Sequence, residues 1–207
     1  MTNLNFIDKL KRITAMADTG LLYASSEYEK ERYEELKTLS LEMVSEIISQ
    51  PLEKIENYFL PIKDYPTVKV DVRGLVLNEK KEILFVKEQS DSLWALPGGW
   101  ADIGFSPSEA ICKEVWEEAG FMVKPVNLLA LFDNRLHPYP PQPYYIYKII
   151  MHCEIESGFL NKGFDILDCA FFNILELPPL SINRIVKSQI EVLYKRALEG
   201  VTETLFD

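Results

Sequence analysis

The apolar positions of this chain change their period once, near residue 66. Before that point they recur at helical spacing. Phe6, Ile7, Leu10 and Ile13 form a first run, which Gly20 is expected to break. Tyr33, Leu36, Leu39, Met43, Val44, Ile47 and Ile48 then line one face of a longer helix beginning near Ser26. Pro51 is placed to open a third, short helix carrying Leu52, Ile55 and Phe59. Helices of this kind cannot bury their apolar faces alone, so residues 1–60 are expected to form a helical N-terminal domain. Its face can serve as a plain cap on the C-terminal part of the chain, as a dimer contact or as part of a substrate lining.

Paired prolines and a charge pair in Pro61-Ile62-Lys63-Asp64-Tyr65-Pro66 mark a linker over residues 61–66. From residue 67 to 207 the pattern is that of a second domain. Val68, Val70 and Val72 alternate with Lys69, Asp71 and Arg73, as in a strand, and Asn78-Glu79-Lys80-Lys81 turns the chain into Ile83-Leu84-Phe85-Val86 as an antiparallel partner. Further strands are expected at 127–132, 144–155 and 169–172, with a last amphipathic helix over 182–198 carrying Ile185, Ile190, Leu193 and Leu198. Mixed strands with one internal and one terminal helix suit a helix-sheet-helix sandwich.

The internal helix is the best specified element. Ser106-Pro107-Ser108-Glu109 reads as a capping box with proline at the first helical position, and Gly120 as the residue that ends the helix at positive φ. Ile111, Val115 and Ala119 form an i, i+4 stripe that should pack on a sheet. Glu114, Glu117 and Glu118 are then expected to face the space before the Gly98-Gly99 turn, either solvated or neutralised by divalent cations, Mg²⁺ or Mn²⁺.

Composition narrows the field of functions. The 207 residues carry a net charge of -10, which argues against general nucleic-acid binding but allows a nucleotide substrate beside bound cations. Cys112, Cys153 and Cys169 show no CxxC spacing, as expected of reduced thiols in the cytoplasm. Charges interrupt the apolar residues of the N-terminus, unlike a signal peptide, and no run reaches membrane-spanning length.

The stretch from Gly98 to Phe121, GGWADIGFSPSEAICKEVWEEAGF, resembles the signature of the Nudix hydrolases, G-x5-E-x7-R-E-U-x-E-E-x-G-U with U a bulky apolar residue. Gly99, Glu114, Val115, Glu117, Glu118, Gly120 and Phe121 match in register, preceded by Leu96-Pro97. Two positions depart: Phe105 stands where the pattern has its first glutamate, and Lys113 where it has arginine. In the family that arginine helps orient a catalytic glutamate, and lysine, a point donor, is not its equivalent.

The resemblance implies a Nudix α/β/α sandwich with a mixed sheet, preceded by a small all-α N-terminal domain. It implies metal-dependent hydrolysis of the pyrophosphate bond of a nucleoside diphosphate linked to another group. Glu114, Glu117, Glu118 and the Gly98 carbonyl are the expected metal ligands, and Lys113 and Asp165 join the three glutamates as candidate catalytic residues. Asp168 is a further acidic candidate on the loop before Phe171-Phe172. Arg73, Lys87 and Arg184 are the candidate phosphate contacts, and Phe132, Tyr139 and Tyr144 the candidate base-stacking aromatics. The layout of the whole chain resembles a bacterial group that includes ADP-ribose and CDP-choline pyrophosphatases, in which a homodimer is implied and RNA 5′ ends are further possible substrates. The alternative is a catalytically weak Nudix domain that senses a nucleotide ligand.

Overall fold

The computed structural model describes residues 3–56, 65–102, 104–142 and 145–207. Phe59, Tyr144 and positions 61–64 of the expected linker lie outside the described residues. The chain divides into two compact units, Met1–Val68 with Pro141–Tyr145, and Lys69–Pro140 with Ile146–Asp207.

The first unit is helical: α1 spans Asn3–Tyr23, α2 Glu27–Ile48 and α3 Leu52–Glu56. Ser26 and Glu29 form a reciprocal capping box at the start of α2. Leu10, Leu41, Val44 and Ile55 make the buried core. Beside it the Thr14 and Ser40 hydroxyls lie 3.0 Å apart, and Lys37 pairs with the buried Asp18 at 2.8 Å. Gly20 does not break α1, contrary to the sequence expectation. A Cβ there would come within 2.4 Å of the Tyr33 ring of α2, so the glycine serves the close approach of two helices.

Among the described residues the second unit holds β1 Lys69–Val76, β2 Ile83–Glu88, β3 Trp94–Ala95, α4 Pro107–Ala119, β4 Phe121–Asp133, β5 Ile146–Gly158, β6 Ile166–Phe172, α5 Lys187–Leu198 and β7 Leu205–Phe206. One sheet has the order β1-β5-β4-β7, the other β3-β2-β6. Their residues alternate between two cores. Leu75, Ile83 and Phe85 join Ile190 and Leu193 of α5, whereas Val76, Leu84 and Val86 join Ile111, Val115 and Ala119 of α4. Period-2 strands that bury both faces between two helices give the sandwich that the pattern implied.

Three sequence expectations need correction. Among the described residues β1 and β2 form no hairpin ladder; they are joined at their turn by the isolated Leu77–Ile83 bridge. β1 instead pairs in parallel with β5, from Lys69 opposite Ile146 to Val76 opposite Cys153. Its other edge is taken by the segment after β3: Val72 N–H donates to Gly99 O at 2.8 Å, Gly74 N–H to Pro97 O at 2.9 Å, and Ala101 N–H to Val70 O at 2.9 Å. The last helix starts at Lys187 rather than at 182, because Arg184 and Ile185 turn tightly back onto Ser181 O and Val186 is extended. β4 begins at Phe121, well before 127, with register shifts absorbing Pro125.

Candidate active site

The site is assembled where the Leu96–Ala101 segment lies on β1 and faces α4. Gly98 adopts φ +140°, and a Cβ on it would meet Val72 O at 2.0 Å and Arg73 Cα at 2.9 Å. Only glycine fits so close to a neighbouring backbone. A Cβ on Gly99 would come within 2.8 Å of Glu114 Oε1, which puts that carboxylate against the corner. Helix α4 is fixed at both ends as its sequence implied. The Ser106 hydroxyl accepts from Glu109 N–H, Glu109 accepts from Ser106 N–H at 2.8 Å, and Gly120 ends the helix at φ +78°. Its C-terminal carbonyls are also claimed by the β5–β6 connection: Asn161 N–H donates to Ala119 O at 3.0 Å and Gly163 N–H to Glu118 O at 3.2 Å.

The three glutamates do not share one environment. Glu118 is buried, and its Oε2 accepts from Gly98 N–H at 2.8 Å. Burial, aided by Glu114 and Glu88, pushes its carboxyl up to about 8, against the lowering effect of Arg73 and of the Gly98 N–H. Glu114, one turn earlier, is raised by burial too, against Arg73 and Lys113. Glu117 lies on the exposed flank, 3.7 Å from Lys113. Lys113 also binds Asp102 at 3.0 Å, and its Nζ sits 5.5 Å from the Phe105 ring centre. The two departures from the family pattern therefore pack on each other, by a cation–π contact.

Beneath the corner runs a buried chain of alternating charge. Arg73 donates to Asp71 through Nε at 3.1 Å and Nη2 at 2.9 Å, and through Nη1 to Leu96 O at 3.0 Å. Lys148 of β5 closes on the other oxygen of Asp71, and Glu88 lies between Arg73, at 3.8 Å, and Arg184. Burial pushes Asp71 up, but Arg73 and Lys148 together outweigh it and hold its carboxyl below the usual range. Burial brings Lys148 down to about 8 despite Asp71. Asp71, Glu88 and Lys148 were missed in the sequence. The available signal was a lysine inside the apolar run Ile146–Ile150 and an Asp71, Arg73 pair at i, i+2 on one strand face.

The remaining candidates are dispersed. Arg73 is committed inward, to Asp71 and Leu96 O. Phe132 is buried in the core against the His137 ring. Tyr139 is buried with its hydroxyl on Gln189. Lys87 is half-buried opposite Asp168 of β6. Arg184 pairs with Glu88 and reaches Ser90 at 3.2 Å. Asp165 is exposed, next to Gly163, and Asp168 accepts from its neighbour Cys169 N–H.

Glu114 and Glu118 suit a hard divalent cation by donor chemistry, and the buried Glu118 carboxylate is costly to ionise without a countercharge. Among the described residues no three His, Cys, Asp or Glu side chains gather around one point, and Glu117 lies on the exposed flank, 3.7 Å from Lys113. The residues thus fit a cation at the Gly98 corner through two carboxylates, with any third ligand coming from the backbone or from outside.

Comparison with known proteins matches residues 5–59 to the family described as "UDP-X-like, N-terminal oligomerisation domain" and residues 67–193 to the NUDIX domain. The Bacillus subtilis protein named "Putative ADP-ribose pyrophosphatase YjhB" is 41% identical over 202 residues, covering 98% of this chain and 97% of that one. The crystal structure of a UDP-X diphosphatase superposes with a TM-score of 0.63 at 35% identity, covering 100% of both chains. An ADP-ribose pyrophosphatase structure from Streptococcus suis gives 0.59 at 29% identity, over 68% of this chain and 100% of that one. The matched domain spans more than half of the sequence and contains the whole Gly98 corner with its carboxylate helix; the chain belongs to the Nudix family of pyrophosphohydrolases.

Proposed function

We propose that this Nudix chain hydrolyses the pyrophosphate bond of a nucleoside diphosphate joined to a second group, releasing a nucleoside monophosphate. ADP-ribose, CDP-choline and UDP-linked compounds form the substrate class, and Mg²⁺ or Mn²⁺ the cofactor. The observation that carries this reading is the buried Glu118 carboxyl held on Gly98 N–H, with Glu114 beside it, at the mouth of the matched signature. The names of the two relatives that match over the full chain length support the substrate class.

A bound divalent cation would shield the diphosphate charge and lower the pKa of the attacking water. The chain's own part begins with Glu118, which must be ionised to act as a ligand. The Gly98 N–H and Arg73 favour that ionised form. Water oxygen bonds to one phosphorus, the bridging P–O bond breaks, and the departing phosphate keeps the bond's electron pair. The proton lost by water passes to a carboxylate; Glu117 on the open flank of α4 and Asp165 on the exposed loop are the candidates, with Lys113 holding Glu117 by its ion pair. Phosphate contacts are assigned to Lys87 and Arg184; the Phe132 and Tyr139 side chains are buried, so base stacking is not assigned to them.

We further infer a homodimer formed through the helical unit, a reading supported by the oligomerisation description of the matched N-terminal family. The division into a helical domain over 1–60, a linker over 61–66 and a catalytic domain over 67–207 belongs to this reading. So does a cytoplasmic location, where three free cysteines persist as thiols. Among the described residues, no helix is long and apolar enough to cross a membrane.

A second reading, a catalytically weak nucleotide sensor, draws on one observation: Lys113 is bonded to Asp102 and Glu117 rather than to Glu118. One experiment separates the two. ADP-ribose, CDP-choline, a UDP-sugar and a short 5′-triphosphorylated RNA are incubated with the protein in Mg²⁺, Mn²⁺ or chelator, and nucleotide products are resolved. Metal-dependent release of nucleoside monophosphate is expected. Binding of these compounds without turnover in either metal would establish the sensor instead.

A further inference from the structure

Lys113 occupies the position from which the family pattern would orient a catalytic glutamate, yet its ammonium group is spent on the exposed side of α4, on Asp102 at 3.0 Å and Glu117 at 3.7 Å. Glu118 lies on the opposite, buried side, where its hydrogen-bond partner is Gly98 N–H. What holds the glutamate and its corner in place must therefore come from beneath.

Arg73 is the group in that place. Its Cα lies 2.9 Å from where a Cβ of Gly98 would stand, and its Nη1 donates to Leu96 O at 3.0 Å, two residues before Gly98. The backbone on either side of it, at Val72 and Gly74, donates to Gly99 O and Pro97 O. Arg73 is itself locked by a forked contact to Asp71, and Asp71 by Lys148. With Nε, Nη1 and Nη2 all engaged, the guanidinium is not available to reach out to a substrate phosphate. A planar fork fixed on a carboxylate is far stiffer than a flexible ammonium stem, so it suits a scaffolding task.

We propose that Arg73 is a positioning residue of the catalytic centre, clamped by Asp71 and Lys148, that fixes the Leu96–Gly99 corner and thereby sets where Glu118 presents its carboxylate. It takes over from below the orienting task that Lys113 does not perform. The inference rests on the hydrolase reading above, in that Glu118 is taken to bind the metal, but it makes separate demands.

The test compares wild type, Arg73→Lys and Arg73→Gln as full-length proteins, with thermal melts to confirm folding. Two readouts are taken: kcat and KM on whichever panel substrate the wild type turns over, and Mn²⁺ affinity from titration without substrate. Displacing a catalytic group by about 1 Å costs on the order of 100-fold in rate, so R73Q is expected to lose about that factor in kcat with KM held within about threefold. R73K is expected to fall between R73Q and wild type. Mn²⁺ binding should weaken in both variants. R73K is the diagnostic variant, because it keeps the positive charge and loses only the fork, so an effect of charge alone would leave its Mn²⁺ binding unchanged. Tighter or unaltered Mn²⁺ binding in R73K, or a rise in KM at constant kcat, overturns the proposal. If wild type turns over nothing, the hydrolase reading fails on its own and the Mn²⁺ titration still decides the role of Arg73. If R73Q does not fold, R73K, which keeps the charge and loses only the fork, decides by the same two readouts.

Discussion

Glu118 is the side chain on which site chemistry and stability meet. Its carboxyl is raised from 4.5 to about 8. Between those two values the folded chain holds a proton on this group that the unfolded chain releases. Its contribution to stability is therefore fully present below the unfolded value and is lost as pH rises through the folded one. In chelator, wild-type protein should melt at steadily lower temperature from about pH 5 to about pH 8, and Glu118→Gln should flatten that slope, as read by calorimetry. Adding Mn²⁺ should lift the wild-type midpoint most at the high end of the range, because the cation favours the ionised carboxylate. The same variant should lose roughly 100-fold or more in kcat, since losses of even outer partners of metal ligands reach that scale. An equal slope in both proteins would assign the pH dependence to other groups.

Individual residues were legible in the sequence to the extent that local chemistry names them. Glu114, Glu118 and Gly98 stood out by spacing and by glycine placement. Asp71 was visible only as part of the polar half of an alternating strand, and Arg73, expected to meet a substrate phosphate, turns inward to Asp71 and Leu96 O instead. Alternation shows which residues share a face, not whether that face is covered. Here the 97–101 segment and β5 cover β1 on both edges, and the charges are sealed inside.

Elements with self-contained signals were read correctly, and those defined by distant partners were not. Helix α4 carries its own start, stripe and stop, all within fourteen positions of Ser106. The β1–β2 pairing was inferred from adjacency along the chain, whereas the parallel partner of β1 is contributed by β5. Gly20 illustrates the same limit at the level of helices: its role depends on Tyr33, a residue on another element. Gly20→Ala should therefore cost stability, although alanine is the better helix former. Overpacking of this kind costs about 1–3 kcal/mol, and combining it with Tyr33→Ala should recover part of the loss in denaturant titrations. A stabilised Gly20→Ala would show that the contact is slack.

For the molecule as a whole, the helical unit carries the clearest mark of assembly. Leu36, Leu39 and Met43 recur along one face of α2 and remain 40%, 51% and 48% exposed. Such a stripe, within a segment matched to an oligomerisation domain, is where the proposed homodimer would join. Leu39→Glu with Met43→Glu should halve the mass seen by light scattering while leaving the helical signal in circular dichroism intact. An unchanged dimer mass would move the contact to another face. This level was only partly readable in advance: the amphipathic helices announced an unpartnered face, but two alternating cores divided between α4 and α5 emerge only from the three-dimensional order of the strands.

The pairing of β1 with β5 has a consequence for how this enzyme comes into being. Asp71 and its buried lysine are 77 residues apart, and the entire signature is translated between them. A ribosome that has delivered the diglycine and all three glutamates has still not supplied the strand against which β1 lies. Competence is therefore gained late in synthesis, and a nascent chain arrested before β5 would display every recognisable letter of the motif and turn over nothing.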